Sequence, residues 1–275
     1  MHFLWLNSRV KLSSGLLFWR EIGTGSNNIV FLHGTWYDSS QWLSIMEGLS
    51  LDYHCFAPDL PGFSESQFSS THYSISQMVE SLNEYIAALN LEKIYLVGDS
   101  LGGWIAASYA LKYSDKLLGL ILLSPEGIDI PDVKVRWQFS GWLAPRASFL
   151  CFILRLIYPL ARLLGVERKV KYLLQIRQKL LLDSTGNIIL FRRRWAEIKA
   201  ELLAENLASL KVVTFILQGY KDTDIALSMS KYYADLLPMG KLYLINSGED
   251  NLPKKMPDIV VNKILAFLRN ESNLS

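Results

Sequence analysis

Ile94-Tyr95-Leu96-Val97-Gly98-Asp99-Ser100-Leu101-Gly102-Gly103 is the stretch that decides the fold. An aliphatic run with the pattern of a buried strand leads into Gly-x-Ser-x-Gly, and a helical segment, Leu101 to Tyr113, follows at once. A serine set between strand and helix with no intervening loop needs a tight, strained turn, and the flanking glycines relieve the crowding. At the head of the helix, backbone N–H groups and the positive end of the dipole face any anion that develops near the hydroxyl. Gly-x-Ser-x-Gly alone is a weak signal. Between strand and helix it is a strong one.

The pattern on either side agrees. Asn28 to Leu32, His54 to Ala57, Lys93 to Val97 and Lys116 to Leu123 read as strands. Ser74 to Leu89 has helical spacing at Ile75, Met78, Val79, Leu82, Ile86 and Leu89. Strands alternating with helices predict βαβ units and an α/β fold with a mostly parallel, doubly wound sheet. The alternation stops after Pro125, and Ile130 to Leu203 shows helical periodicity with no convincing strand. It resumes with strands at Lys211 to Leu217 and Lys241 to Ile245 and helices at Ala226 to Leu237 and Ile259 to Leu268. The expected organisation is a sheet core, residues 1–127 and 203–275, with an all-helical cap inserted at 128–202.

Three further motifs fall in order along this frame: Phe31-Leu32-His33-Gly34-Thr35, Asp59-Leu60-Pro61-Gly62-Phe63-Ser64 and Leu217-Gln218-Gly219-Tyr220-Lys221-Asp222. With the serine turn they make the chain resemble the α/β-hydrolase superfamily over nearly all its length outside Ile130 to Leu203, where that family places a variable cap. The resemblance implies Ser100 as nucleophile, Asp222 as the acid of the triad, and the backbone N–H groups of Thr35 and Leu101 as oxyanion donors. It also implies that His33 supports the oxyanion loop. Asp59 reads as a turn anchor, and Glu126 as a hinge residue at the start of the cap.

The departure comes after the last strand. The family carries Gly-His there, whereas this chain reads Ser247-Gly248-Glu249-Asp250-Asn251-Leu252-Pro253, with Asp250 in the place of the histidine. All four histidines, His2, His33, His54 and His72, precede Ser100. A serine hydroxyl is a poor nucleophile without a base whose pKa lies near the working pH, and an ordinary aspartate, near 3.9, is not such a base. Asp250 beside Asp222 is the expected stand-in, since two close carboxylates resist double ionisation.

Composition narrows the setting. The chain has 275 residues, half of them hydrophobic, and a net charge of +2, enough for a substantial buried core. Residues 131–200 hold 14 Lys or Arg against 4 Asp or Glu, a surplus of ten that leaves the remainder at −8. Basic charge beside apolar helices suits a lipophilic ligand or an anionic membrane surface. Cys55 and Cys151 match no metal spacing and read as reduced core residues. No metal or cofactor is expected, and no nucleic-acid motif accompanies the basic residues. Ala147 to Leu164 is apolar and long, but Arg155, Arg162 and Pro159 argue against a membrane span. With no signal peptide evident, the expected location is cytoplasmic, with peripheral membrane contact.

Two functions stay open at this point. One is a serine hydrolase of the esterase or lipase kind acting on a lipophilic ester, its pocket lined by Trp36, Trp137, Trp142 and Phe149, with Phe152 alongside. The other is a catalytically impaired relative that binds an apolar ligand, a membrane surface or a partner protein.

Overall fold

Apolar runs buried on both faces are what a central parallel sheet requires, and the chain supplies them in series. The computed structural model describes residues 4–70, 72–131, 133–135, 148–163, 165, 170, 174 and 193–272. Eight strands form one sheet: β1 (Leu6–Leu12), β2 (Gly15–Ile22), β3 (Asn27–Leu32), β4 (Tyr53–Pro58), β5 (Ile94–Asp99), β6 (Leu117–Leu123), β7 (Thr214–Gly219) and β8 (Gly240–Ile245). Their spatial order is β1-β2-β4-β3-β5-β6-β7-β8. The β1–β2 and β2–β4 pairs are antiparallel, and every other pair is parallel. The α/β sheet read from the sequence is therefore present, and β5, buried at all six positions, lies near its centre.

Helices cover both faces. Helix α1 (Leu43–Leu49) and the C-terminal helix, α7 (Pro257–Ser272), pack on one side, where Trp42, Ile45, Met46, Val260, Ile264 and Leu268 meet Ile29, Phe31, Val97 and Ile121. Helices α2 (Ile75–Ala88), α3 (Leu101–Lys112) and α6 (Asp224–Leu236) cover the other, with Met78, Leu82, Tyr85, Trp104, Ile105 and Tyr233 fully or nearly fully buried. Local chemistry fixes the helix starts: the Ser74 hydroxyl accepts from the Gln77 amide at α2, and the Thr223 hydroxyl from the Ala226 amide at α6. Because β3 and β5 to β8 run parallel, the loops that follow them open on the same edge of the sheet, where doubly wound folds place their sites.

Among the described residues of 131–200, regular structure is helical: α4 (Ser148–Leu163) and the short α5 (Trp195–Lys199). The chain leaves the sheet at Gly127 and returns at Leu203, whose amide donates to the Gly127 carbonyl at 2.9 Å. The returning segment is pinned to the core through Glu201. Its carbonyl accepts from the Trp104 indole at 3.1 Å, and its carboxylate from the Ile75 amide at 3.0 Å. No helix among the described residues is long and apolar enough to cross a membrane.

The structure departs from the sequence reading in three places. The N-terminal hairpin β1–β2 was not expected, because its first strand is mostly exposed and lacks a continuous apolar run. Strand β7 starts at Thr214 rather than Lys211. Phe152, expected against a cavity, is 63% exposed.

Candidate active site

The turn after β5 carries the strain that the sequence implies. Ser100 stands at φ 52°, ψ −111°, a left-handed conformation costly for a residue with a Cβ, and leads directly into α3. Three backbone hydrogen bonds fix it: its amide donates to Leu123 O at 2.9 Å, and its carbonyl accepts from the amides of Trp104 and Glu126, each at 3.1 Å. The turn fits against β3 only because Gly102 is bare; a Cβ there would lie 2.2 Å from the Leu32 carbonyl oxygen. Leu101, the first residue of α3, has an amide with no acceptor inside the helix.

The loop after β3 closes over this turn. Gly34 approaches so nearly that an added Cβ would meet Asp99 Oδ2 at 2.7 Å and the Ser100 Cβ at 3.4 Å. His33 is buried beneath the loop, its Nδ1 bonded to Gly34 O and its Nε2 accepting from the Leu60 amide, both at 2.9 Å. Burial holds its pKa below the ordinary value, which keeps the ring neutral and suited to this bracing role. Asp59 accepts from the amides of Ser39 and Glu65, the turn anchor that was expected.

A relay not marked in the sequence joins three loops. The Gln41 amide oxygen accepts from the Gly34 N–H at 3.0 Å. Its nitrogen donates to Asp99 Oδ2 at 2.9 Å and to Asn251 Oδ1 at 3.1 Å. Asn251, in left-handed backbone geometry at φ 56°, also bonds the Tyr37 hydroxyl. Asp99 is wholly enclosed. Burial is the main cause that pushes its carboxyl up to about 7; the charges of Asp222, Glu126 and Asp250 add to this, and the Gln41 bond opposes it. Burial, with Asp250 and Asp99 nearby, likewise raises Tyr37 to about 12.

Asp222 follows β7, partly buried. One oxygen accepts from Gln218 Nε2 at 3.1 Å and Ser124 Oγ at 3.3 Å, the other from the Thr223 amide at 2.6 Å. Asp250, after β8, is placed differently: its side chain is 63% exposed and ion-paired with Lys255, which also holds Glu249 at 2.9 Å. No described histidine stands in that loop. His54 pairs with Glu21 at 3.0 Å, and His72 is exposed. Thr35 is buried and Trp36 partly buried in the loop after β3. Trp137 and Trp142 lie outside the described residues, as does the side chain of Phe149. The structure thus gathers the loops of Thr35, Ser100, Asp222 and Asp250 at one edge.

A family model for the alpha/beta hydrolase fold matches residues 27–149. The chain has the α/β-hydrolase fold. This α/β-hydrolase-fold chain is 36% identical over 133 residues to the 1-acylglycerol-3-phosphate O-acyltransferase ABHD5 of Rattus norvegicus, which covers 45% of the chain and 38% of that relative. It is 39% identical over 122 residues to the pimeloyl-acyl-carrier-protein methyl ester esterase of Wigglesworthia glossinidia brevipalpis, covering 42% of the chain and 45% of the relative. The matched segments thus span less than half the length of these curated relatives. Among solved structures, a bacterial membrane phospholipase A superposes with a TM-score of 0.76 at 20% identity, over 98% of this chain and 87% of that one. At that identity the likeness is one of fold.

Proposed function

We propose that the chain is an impaired hydrolase that holds a lipophilic acyl ester against Ser100 and turns it over weakly. The observation behind this reading is a mismatch within the site. Ser100 keeps its strained turn and its closed oxyanion loop, while Asp250, in the place of the base, faces solvent and is ion-paired with Lys255. The Thr35 and Leu101 amides would stabilise an oxyanion, and such remnants retain about 10³–10⁴-fold catalysis over water without a full triad. In this reading Asp222 keeps the place of the triad acid with no imidazole to orient. The names of the similar proteins, an acyltransferase, a methyl ester esterase and a phospholipase A, support an acyl ester as the ligand class. Residues 128–202 serve as the cap, with Trp137, Trp142 and Phe149 joining Trp36 around the acyl chain. The surplus of basic residues there supports peripheral contact with an anionic membrane.

A second reading, a competent serine esterase, is favoured by the intact turn. Labelling with a fluorophosphonate and turnover of short and medium acyl esters separate the two, with Ser100→Ala as control. Slow labelling, lost in Ser100→Ala, with turnover well below the ordinary range of about 1–10³ s⁻¹, supports the impaired enzyme. Turnover inside that range establishes the competent one. Neither labelling nor retention of an acyl ester by the purified protein defeats both.

A further inference from the structure

Helix α4 presents its large apolar residues to solvent. Phe152 is 63% exposed, Leu156 62%, Leu160 59% and Leu163 85%. At about 100° per residue these four fall within an arc of about 80°, widened on one side by the exposed Ile157. Arg155 and Arg162 lie together along the other border of the arc. Among the described side chains on the opposite side, Ala161 is buried, and Tyr158 packs against the cluster of Ala161 and Val170. Other exposed large apolar residues, such as Leu51, Tyr220 and Met239, come from separate elements of the fold. A continuous apolar stripe on one helix is a different matter, and such patches mark interaction surfaces.

Charge and length choose the partner. The helix contains no acidic residue, and among the described residues neither Arg155 nor Arg162 has an acidic partner. By contrast, two arginines of the 192–194 triplet are already committed. Arg193 is buried against Glu201 at 2.5 Å, and Arg194 pairs with Glu197 at 2.7 Å. Sixteen residues rise about 24 Å, short of the ~30 Å hydrocarbon core, and Pro159 and two arginines interrupt them. Such a helix does not span a bilayer. An apolar arc bordered by cations suits the plane of an anionic interface.

We propose that α4 is the membrane-docking element: Phe152, Leu156, Leu160 and Leu163 enter the acyl boundary of an anionic bilayer while Arg155 and Arg162 meet lipid phosphates. This sharpens the peripheral contact in the proposed function and does not depend on the chemistry of Ser100.

Flotation of the full chain with vesicles tests it, using phosphatidylcholine alone or with about 30% phosphatidylserine. Binding should favour the anionic vesicles, fall about five-fold for each of Arg155→Gln and Arg162→Gln, and fall more than about ten-fold in Leu156→Asp/Leu160→Asp. Arg194→Gln should bind as wild type. Because the leucines are exposed, the melting curve of the aspartate variant should be unchanged; Leu156→Gln is the milder substitute if it is not. Failure of wild type to bind either vesicle, or equal binding by the leucine variants, overturns the proposal. So does a dimer in sedimentation velocity that Leu156→Asp abolishes in the absence of vesicle binding, which would assign the stripe to a second copy of the chain. Fluorophosphonate labelling of Ser100 without lipid reports separately on the hydrolase reading, so either can fail alone.

Discussion

The turn after β5 and the loop after β8 reach the same edge of the sheet, and they are built in opposite ways. The first is buried, strained at Ser100 and fitted so closely to β3 that Gly102 tolerates no side chain. The second carries Glu249 and Asp250 out into solvent, tied to Lys255. A serine turn held by its neighbours survives because altering it disturbs the core. An exposed loop can exchange its chemical residue while the fold is unaffected. A strained serine turn is therefore weak evidence for activity on its own, and the proposed function turns on the β8 loop.

The largest effect should come from filling the tight side. Gly102→Ala places a methyl within 2.2 Å of a backbone oxygen that cannot move without β3, and it should cost more than about 4 kcal/mol, read as loss of cooperative unfolding. A well-folded Gly102→Ala would erase the contrast between the two loops.

Next comes the enclosed carboxyl beside the turn. Asp99 ionises near 7 when folded against the ordinary 3.8, so between those values the folded chain keeps a proton that the unfolded chain has lost. The stability of wild type relative to Asp99→Asn is therefore highest below about pH 4, falls as pH rises, and is lowest above pH 7. The span is on the order of 4 kcal/mol. Denaturant midpoints of both proteins at pH 5 and pH 8 should differ in their gap by about 2.6 kcal/mol, the part of the span that lies between those values. A difference that does not change with pH would mean that Asp99 is not held in its neutral form.

Chemistry tests the open side. Asp250→His should raise ester hydrolysis that depends on Ser100 by about 10²-fold, since a positioned imidazole supplies the missing base and Asp222 is available to orient it. A folded Asp250→His as slow as wild type would show that the loop has diverged beyond one residue. The smallest effect is the structural counterpart of the first: Asp250→Ala, removing an exposed ion pair, should change stability by less than about 0.5 kcal/mol in thermal unfolding.

How much of this could be read in the sequence follows the same division. The strands from β3 to β7 and the serine turn announce themselves through local pattern, because burial on both faces demands unbroken apolar runs. That every histidine precedes Ser100 is equally plain, being a matter of residue identity. The N-terminal hairpin was hidden because β1 lies at the sheet edge, largely exposed, and pairs only with β2. The Gln41 relay gave little local signal: two of its three partners lie 58 and 210 residues away, and glutamine before Trp42 looks like any polar residue opening a helix. Among the basic residues of 131–200, Arg192 to Arg194 form a triplet. Adjacent cations suggest an outward basic patch, but Arg193 is turned inward by Glu201, a partner that only the fold brings near.

The bond between Leu203 and Gly127 has a consequence for how such a protein can be remodelled. The chain leaves the sheet and returns to it at points one hydrogen bond apart, with Glu201 tying the returning end to Ile75 and Trp104. Loop-closure cost grows only with the logarithm of length, so an insertion twice as long would cost about 0.6 kcal/mol more, and a short linker could bridge the same gap. The stretch inside Val133 and Ile198, which are themselves buried in the core, is in that sense an exchangeable cartridge, free to change its size and its surface while the serine turn stays where β5 puts it.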